Sequence, residues 1–417
     1  MSAAAPPERH ATSGTALLPA LIVSQLGVHS AMAGLRMAAP LDALAAGASA
    51  WRVGVLLALF AAAPVVMALA TGRMADRLGF HRPMRLAGGL AVAGLLLALG
   101  STLLPTSPEG GWRAVLLAAA AVVTGAGANI GLIVVQRTGS LQARDAVERV
   151  RIFSWLGIAP SFSNVIGPVA AGLMIDLGGF GVAYGALLLL PLASLLAARA
   201  VPAAAGAGAP PPAGTAPRRS SWDLLALPGM KRLLLVNWLL SMCWDVHTFA
   251  VPILGHHAGF SATTIGLVLG SFTLSVTVVR VIIPWLAHRL REHVVMPGAM
   301  LATALLFAVY PFASTPWTMA SCSMLLGLSL GCVQPMMMSV LHHLTPDDRH
   351  GESLAFRSMT INASSTAMPL LFGLVGAAVG AAALFWAVGL AVGGGAWLAR
   401  RLRVQGPAPA DPGPVRT

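Results

Sequence analysis

One acidic side chain, Asp245, lies in the middle of a long apolar run, NWLLSMCWDVHTFAVP. Ionisable groups in such a setting are costly and are functional candidates by default. A carboxylate that gains and loses a proton there is what a proton-coupling site requires. Of the fourteen acidic residues, Asp245 alone reads as mid-run, and it reads as isolated. His247 is two residues further on, so it points to a different part of a helix, and Cys243 and Trp244 adjoin. His29 stands in the first apolar run, where Val28-His29 echoes Val246-His247. Asp245, His247 and His29 are therefore the proton-coupling candidates. The competing readings are a hydrogen-bonded structural Asp245 and a packed helix residue at His29.

Two cations also fall within or at the end of apolar runs. Arg36 can bind an anionic group, pair with Asp42 or extend toward the interface, and Arg280 can extend likewise or contact a ligand. Asn129, Asn164, Gln334 and Asn362 are mid-run amides that tie helices together or face a cavity. With Trp238 and Trp244 beside them, they would line a mildly polar cavity suited to an amphipathic organic molecule. Lys231 is the only lysine, so a phosphate-binding loop ending in Gly-Lys-Ser/Thr is impossible. Cys243, Cys322 and Cys332 have no disulfide or metal spacing. No nucleophile–base constellation is present, so no enzymatic activity, cofactor or metal is expected.

The elements that must position these residues follow from composition. The 417 residues are 57% hydrophobic and 10% charged, with mean hydropathy +0.79. Soluble domains carry roughly 25% charged residues, so this chain has too few to cover a soluble surface. A spanning helix needs about 20 mostly apolar residues. Runs that qualify lie near 16–38, 51–71, 84–104, 113–135, 152–175 and 180–199, then 232–254, 263–286, 294–314, 317–340, 354–379 and 381–399. The expectation is an all-α membrane protein with twelve transmembrane helices in two six-helix bundles, 16–199 and 232–399. Residues 200–231 form the linker, rich in Ala, Pro and Gly at 200–221, and 1–15 and 400–417 are tails. The polar opening followed by a full span reads as an uncleaved start.

Net charge is +12. The basic residues alternate with the spans, so topology explains them and a nucleic-acid partner is not expected. With the N-terminus inside, 22 of the 26 Lys and Arg fall on inner segments, Arg357 among them. Arg36, Arg52 and Arg113 fall outside, and Arg280 falls within a span. That bias puts both termini in the cytoplasm.

The halves echo each other. TGRMADRLGFHRPM (71–84) and IPWLAHRLREHVVM (283–296) match at five of fourteen positions and occupy equivalent places. Gly72-Arg73-Met74-Ala75-Asp76-Arg77-Leu78-Gly79 resembles the signature that major facilitator superfamily transporters carry between spans two and three. Phe80 and His81 replace its usual basic pair, and Arg82 comes one place late. The resemblance implies a latch between bundles made by Gly72, Asp76, Arg77, Gly79 and Arg82. Gly72 would let two helix ends approach, and Asp76 would sit on a turn facing a helix N-terminus.

Residues 163–172, with Gly167, Pro168 and Gly172, resemble the fifth-span signature of the drug–proton antiporter branch. Ser163 and Ala171 replace two of its glycines, and the run also reads as a generic packing seam. The fourth-span arginine usual in that branch is absent, with Ala121 in its place before Gly125. The implied function is a secondary transporter in the bacterial cytoplasmic membrane. It would be a monomer in the lipid bilayer, exporting a small-molecule substrate against protons. An importer or symporter of a metabolite or organic anion, and a non-transporting receptor or scaffold, are the alternatives.

Overall fold

The computed structural model describes residues 14–106, 111–142, 152, 155–202, 221–286, 292–346 and 349–402. Among these the chain is almost entirely helical. In a bilayer no water satisfies the backbone N–H and C=O groups, so an apolar segment must pair them internally. The helices are α1 (Gly14–Ala45), α2 (Ala50–Leu78), α3 (His81–Ser101), α4 (Gly111–Gln142), α5 (Ile158–Leu187) and α6 (Leu189–Ala198). They continue as α7 (Met230–His257), α8 (Ala262–Leu286), α9 (Glu292–Val309), α10 (Pro316–Leu344), α11 (His350–Val379) and α12 (Ala381–Arg400).

Eleven apolar helical segments are long enough to cross a membrane. One of them, Ala159–Ala198, has 40 residues. At 1.5 Å per residue it would be about 60 Å long, twice the roughly 30 Å hydrocarbon core. It is two spans. The reversal falls at Gly178 and Gly179, where the backbone leaves the helical region and Gly179 takes φ 80°, ψ −175°. A side chain at Gly179 would be strained, so only glycine turns the chain there at low cost. The protein is thus a multi-pass integral membrane protein, with twelve spans among the described residues.

Several boundaries differ from the hydropathy reading, in the cases below because helix continues past the apolar stretch, while α3 and α9 stop short of it at Ser101 and Val309. The first span runs to Ala45, so Asp42 is helical and buried at 2% exposure. The second runs to Leu78, so Asp76 and Arg77 occupy its last helical turn rather than a loop. The turn proper is Gly79, at φ 69°, whose N–H donates to the carbonyl of Ala75 (3.1 Å). The fourth runs to Gln142 and takes in Arg137. Arg357, read above as an inner-segment charge, is inside α11 and within its spanning part. The linker is not wholly irregular, because Ser221–Ala226 forms a 3-10 turn. Leu224 of that turn is buried, and Trp222 meets Phe356 edge-on at 5.3 Å. The tails up to residue 13 and from 403, linker residues 203–220 and residues 287–291 of the second repeat lie outside the described residues. So do Arg9, Arg144, Arg149, Arg151, Arg218, Arg219, Arg289, Arg291, Arg403 and Arg416 of the charge bias.

By contact the chain divides into two compact units, Met1–Ala213 with Gly255–Gly270, and Gly214–Leu254 with Ser271–Thr417. In the first, α1 packs on α5, α6 and α4, while α4 packs on α2 and α3. Small residues make this possible. A Cβ at Gly167 would stand 2.5 Å from the Ser30 carbonyl oxygen and 2.7 Å from the Gly34 nitrogen, so α1 and α5 touch backbone to backbone. Gly172 meets Ala262 in the same way, and the Pro168 carbonyl rests on Gly266. The seam at 167–172 therefore lies flat against two helices, and apolar packing of this kind is the main adhesive between helices in lipid. Ser163 adds a hydrogen bond to the Leu26 carbonyl (3.1 Å). Gly72 behaves differently: among the described residues nothing lies within 4 Å of a Cβ placed there. In the second unit α9 packs on α12 and α10.

Polar ties reinforce the first unit. Arg113 at the start of α4 forms an ion pair with Asp42 of α1 (2.6 Å), and its side chain is only 11% exposed. Arg113 also donates to the Leu104 carbonyl (3.2 Å), and Tyr184 of α5 donates to the second Asp42 oxygen (3.0 Å). The Asp42 carboxylate of α1 is thus held by Arg113 and Tyr184. Asp176 of α5 accepts hydrogen bonds from the backbone N–H groups of Ala262 (3.0 Å) and Thr263 (2.8 Å), which caps α8. Uncapped N–H groups at a helix start carry partial positive charge, so a carboxylate is the fitting partner.

Two outcomes are expected. Gly167→Leu forces α1 and α5 apart and destabilises by about 1–3 kcal/mol, whereas Gly72→Ala is neutral or gains up to about 1 kcal/mol. Thermal unfolding of the purified protein in detergent distinguishes them. In the same measurement Arg113→Gln strands a buried carboxylate and costs about 3–5 kcal/mol, while the double variant Asp42→Asn with Arg113→Gln recovers most of the loss.

Candidate functional site

In the second unit Asp245 lies in the middle of α7 and is 3% exposed. Its 15 residues from the start of the helix place it about 23 Å along the axis, near mid-membrane. It is not isolated as the sequence suggested. Ser364 of α11 donates to one carboxylate oxygen (2.7 Å) and Ser365 to the other (3.1 Å). The carboxylate therefore ties α7 to α11. Consecutive serines on α11 were the missed signal, since a lone hydroxyl pair in a span carries no charge to mark it.

His247 is fully buried but on another face, about 200° around the helix from Asp245. Its Nε2 is 3.0 Å from the Ser323 hydroxyl, which is 2.7 Å from the Tyr310 hydroxyl. The imidazole stacks on Phe272 at 4.4 Å, and Tyr310 stacks on Phe385 at 4.6 Å. This is an aromatic cluster joining α7, α8, α10 and α12, so the two α7 candidates are not brought together. His247 Nδ1 has no hydrogen-bond partner. Trp244 meets Phe272 edge-on at 4.6 Å, and Trp238 is half-buried on α7.

Gln334 of α10 accepts a hydrogen bond from the Arg357 guanidinium of α11. Arg280 of α8 is half-buried and bears electrostatically on Arg357. Asn362 is half-buried on α11, where its backbone carbonyl accepts from Thr366 (2.9 Å). Asn237, which the sequence reading passed over, is 4% exposed with its amide nitrogen unpartnered.

In the first unit His29 is half-buried and its Nδ1 lacks a hydrogen-bond partner. Arg36 is half-buried on α1, seven residues on. Asn129 is half-buried with a buried, unpartnered amide nitrogen. The Asn164 amide donates to the Pro160 carbonyl one turn earlier in its own helix (2.9 Å), through that oxygen's second lone pair; this bond does not join two helices. Gln25 was also missed: it is 1% exposed and both ends of its amide are unpartnered. Asp76 pairs with Arg137 of α4 at 2.6 Å and is itself 54% exposed. Ala121, where the fourth-span arginine is expected in antiporters, is fully buried.

Comparison with known proteins bears on what these helices are. Residues 233–416 match the family model "Major Facilitator Superfamily". The tetracycline resistance protein, class B, of Escherichia coli is 35% identical over 121 residues. That match spans 28% of this chain and 27% of the relative. Among solved structures, a peptide transporter, POT, in complex with sulfate has TM-score 0.72 at 14% identity, covering 92% of this chain and 93% of that one. A bacterial homologue of the human lysosomal transporter Spinster, inward-facing and occupied, has TM-score 0.69 at 12% identity, over 97% of this chain and 100% of that one. The nucleoside transporter NupG has TM-score 0.66 at 16% identity, over 93% and 98%. Residues 233–416 thus match the Major Facilitator Superfamily model, and the helical fold resembles that of these transporters over more than nine-tenths of the chain.

Proposed function

We propose that this chain is a secondary transporter that exports small amphipathic organic molecules in exchange for protons, through alternating access of its two bundles. Asp245 carries the coupled proton. The observation that supports this reading is the setting of that carboxylate: mid-membrane, 3% exposed, with both oxygens held by α11 hydroxyls. Protonation removes its charge and turns one oxygen from acceptor to donor, so one serine must turn or release. The tie between α7 and α11 then depends on the proton, which is the link a coupled carrier needs. His247 and His29 are secondary candidates for proton transfer. The unpartnered amides of Asn129 and Asn237 offer polar contacts to a cargo. The partial likeness to a tetracycline resistance protein supports an amphipathic organic cargo and export.

Gly72, Asp76, Arg77, Gly79 and Arg82 are proposed as the bundle latch, with Arg137 added because it orients Asp76. In this reading the protein acts as a monomer in the bacterial cytoplasmic membrane with both termini in the cytoplasm. The charge bias supports that orientation.

The test is Asp245→Asn in proteoliposomes with tetracycline as the probe. The amide keeps the size of the carboxylate but carries no transferable proton. Accumulation driven by an imposed pH gradient is expected to fall by about 10²-fold or more, the scale of losing a proton-transfer group. Gradient-free exchange of the probe should persist. Undiminished pH-driven accumulation in the variant would remove Asp245 from the coupling role. Asp76→Asn should slow both modes together, since the ion pair with Arg137 loses its negative charge and a latch serves every cycle.

A further inference from the structure

We infer that Arg280 of α8 and Arg357 of α11, with Gln334 of α10, form an anion-binding subsite, so that the cargo is an amphipathic acid bearing a carboxylate or a similar oxyanion. This rests on the transport reading above for its cargo and narrows that cargo's class.

Both arginines sit inside apolar spans of the same unit. Arg280 is six residues from the end of α8 and Arg357 seven from the start of α11, so each lies about 10 Å from its helix end. Those ends belong to one side of the membrane, because α9 and α10 separate them with two crossings. Neither guanidinium has a carboxylate partner among the described residues. Arg280 makes no hydrogen bond there, and Arg357 makes one, to the Gln334 amide oxygen. The buried Nε of Arg357 has no partner. Two like charges that act on each other are thus left without a counter-ion within a low-dielectric slab. Each is costly there, and an anion between them offsets both.

The bland reading is that each side chain extends outward to the interface. The geometry of Arg357 argues against it. Gln334 is ten residues from the end of α10, about 15 Å, so it lies deeper than the Cα of Arg357 by about 5 Å. Arg357 therefore reaches toward the membrane centre rather than away from it. The Gln334 oxygen takes one donor and fixes the plane of the guanidinium, leaving other N–H groups for a ligand. A planar fork with two free donors matches an oxyanion, and its charge-assisted bonds to one are stronger than those it makes to a neutral amide carbonyl. The opening turn of α11, three to seven residues before Arg357, adds partial positive charge to the same region.

The experiment uses the full-length protein in detergent with no pH gradient, so a failure of proton coupling does not affect it. The probes are octanoate and octanamide, which share chain length and differ in charge. Octanoate is expected to raise the Tm and octanamide to leave it nearly unchanged. Arg280→Gln should weaken octanoate binding by about tenfold or more, a loss of one charge-assisted contact. Because Arg280 holds no other group, this variant keeps the unliganded Tm, and Arg280→Lys keeps most of the binding. Arg357→Gln should act as Arg280→Gln does. Equal shifts from the two probes, or octanoate binding untouched by Arg280→Gln, would overturn the proposal. Octanoate binding that depends on both arginines while Asp245→Asn transports normally would uphold this subsite and remove only the proton assignment.

Discussion

A charge or a hydrogen-bonding group inside a bilayer must find its partner within the protein, because the solvent around it offers none. That constraint shapes this chain more than any other. It makes every span helical, and it makes the few polar side chains in the spans into ties between helices. Asp42 is held by Arg113 and Tyr184, joining α1, α4 and α5. Asp245 is held by Ser364 and Ser365, joining α7 and α11. Asp176 is held by the exposed N–H groups at the start of α8. Each acid is satisfied by a different donor type, and the choice sets what it can do. A guanidinium fixes a carboxylate as an anion, whereas two hydroxyls can serve either protonation state.

In the proposed reading, that difference separates structural from functional polarity. Removing the proton-neutral partner pair of Asp42 would change stability, while changing the charge of Asp245 would change how α7 and α11 hold together. Arg280 and Arg357 complete the series from the other side, as cations whose carboxylate counter-ion the described residues do not supply. A carrier needs some groups of this kind, since cargo and proton must each complete an interaction that the empty protein leaves open.

Between the polar ties, adhesion comes from close contact. Lipid tails are as apolar as leucine, so helices gain little from burying apolar surface against each other, and backbone proximity matters more. Gly167 against Ser30 and Gly34, and Gly172 against Ala262, are contacts that any larger side chain would prevent. The segment 163–172 therefore has a packing role whatever else it does, and its two substitutions from the antiporter pattern, Ser163 and Ala171, remain small. Ser163 even adds a hydrogen bond to Leu26.

Hydropathy by itself determined the twelve spans, because a 30 Å apolar slab demands runs of about 20 residues and the chain is written in such runs. The segment 72–79 carried the family resemblance, because its glycines and charges are local features readable without contacts. The tertiary structure alone decided which polar residues meet. Apolar length marks where a span must be but not where a helix stops, so Asp42 and Asp76 looked like loop charges and proved helical. Serines and a buried glutamine carry no charge and leave no trace in hydropathy, so the partners of Asp245 and the burial of Gln25 were invisible. Residues such as Asp42 and Arg113, 71 positions apart, become neighbours only when α1 and α4 pack, and no local pattern encodes that distance.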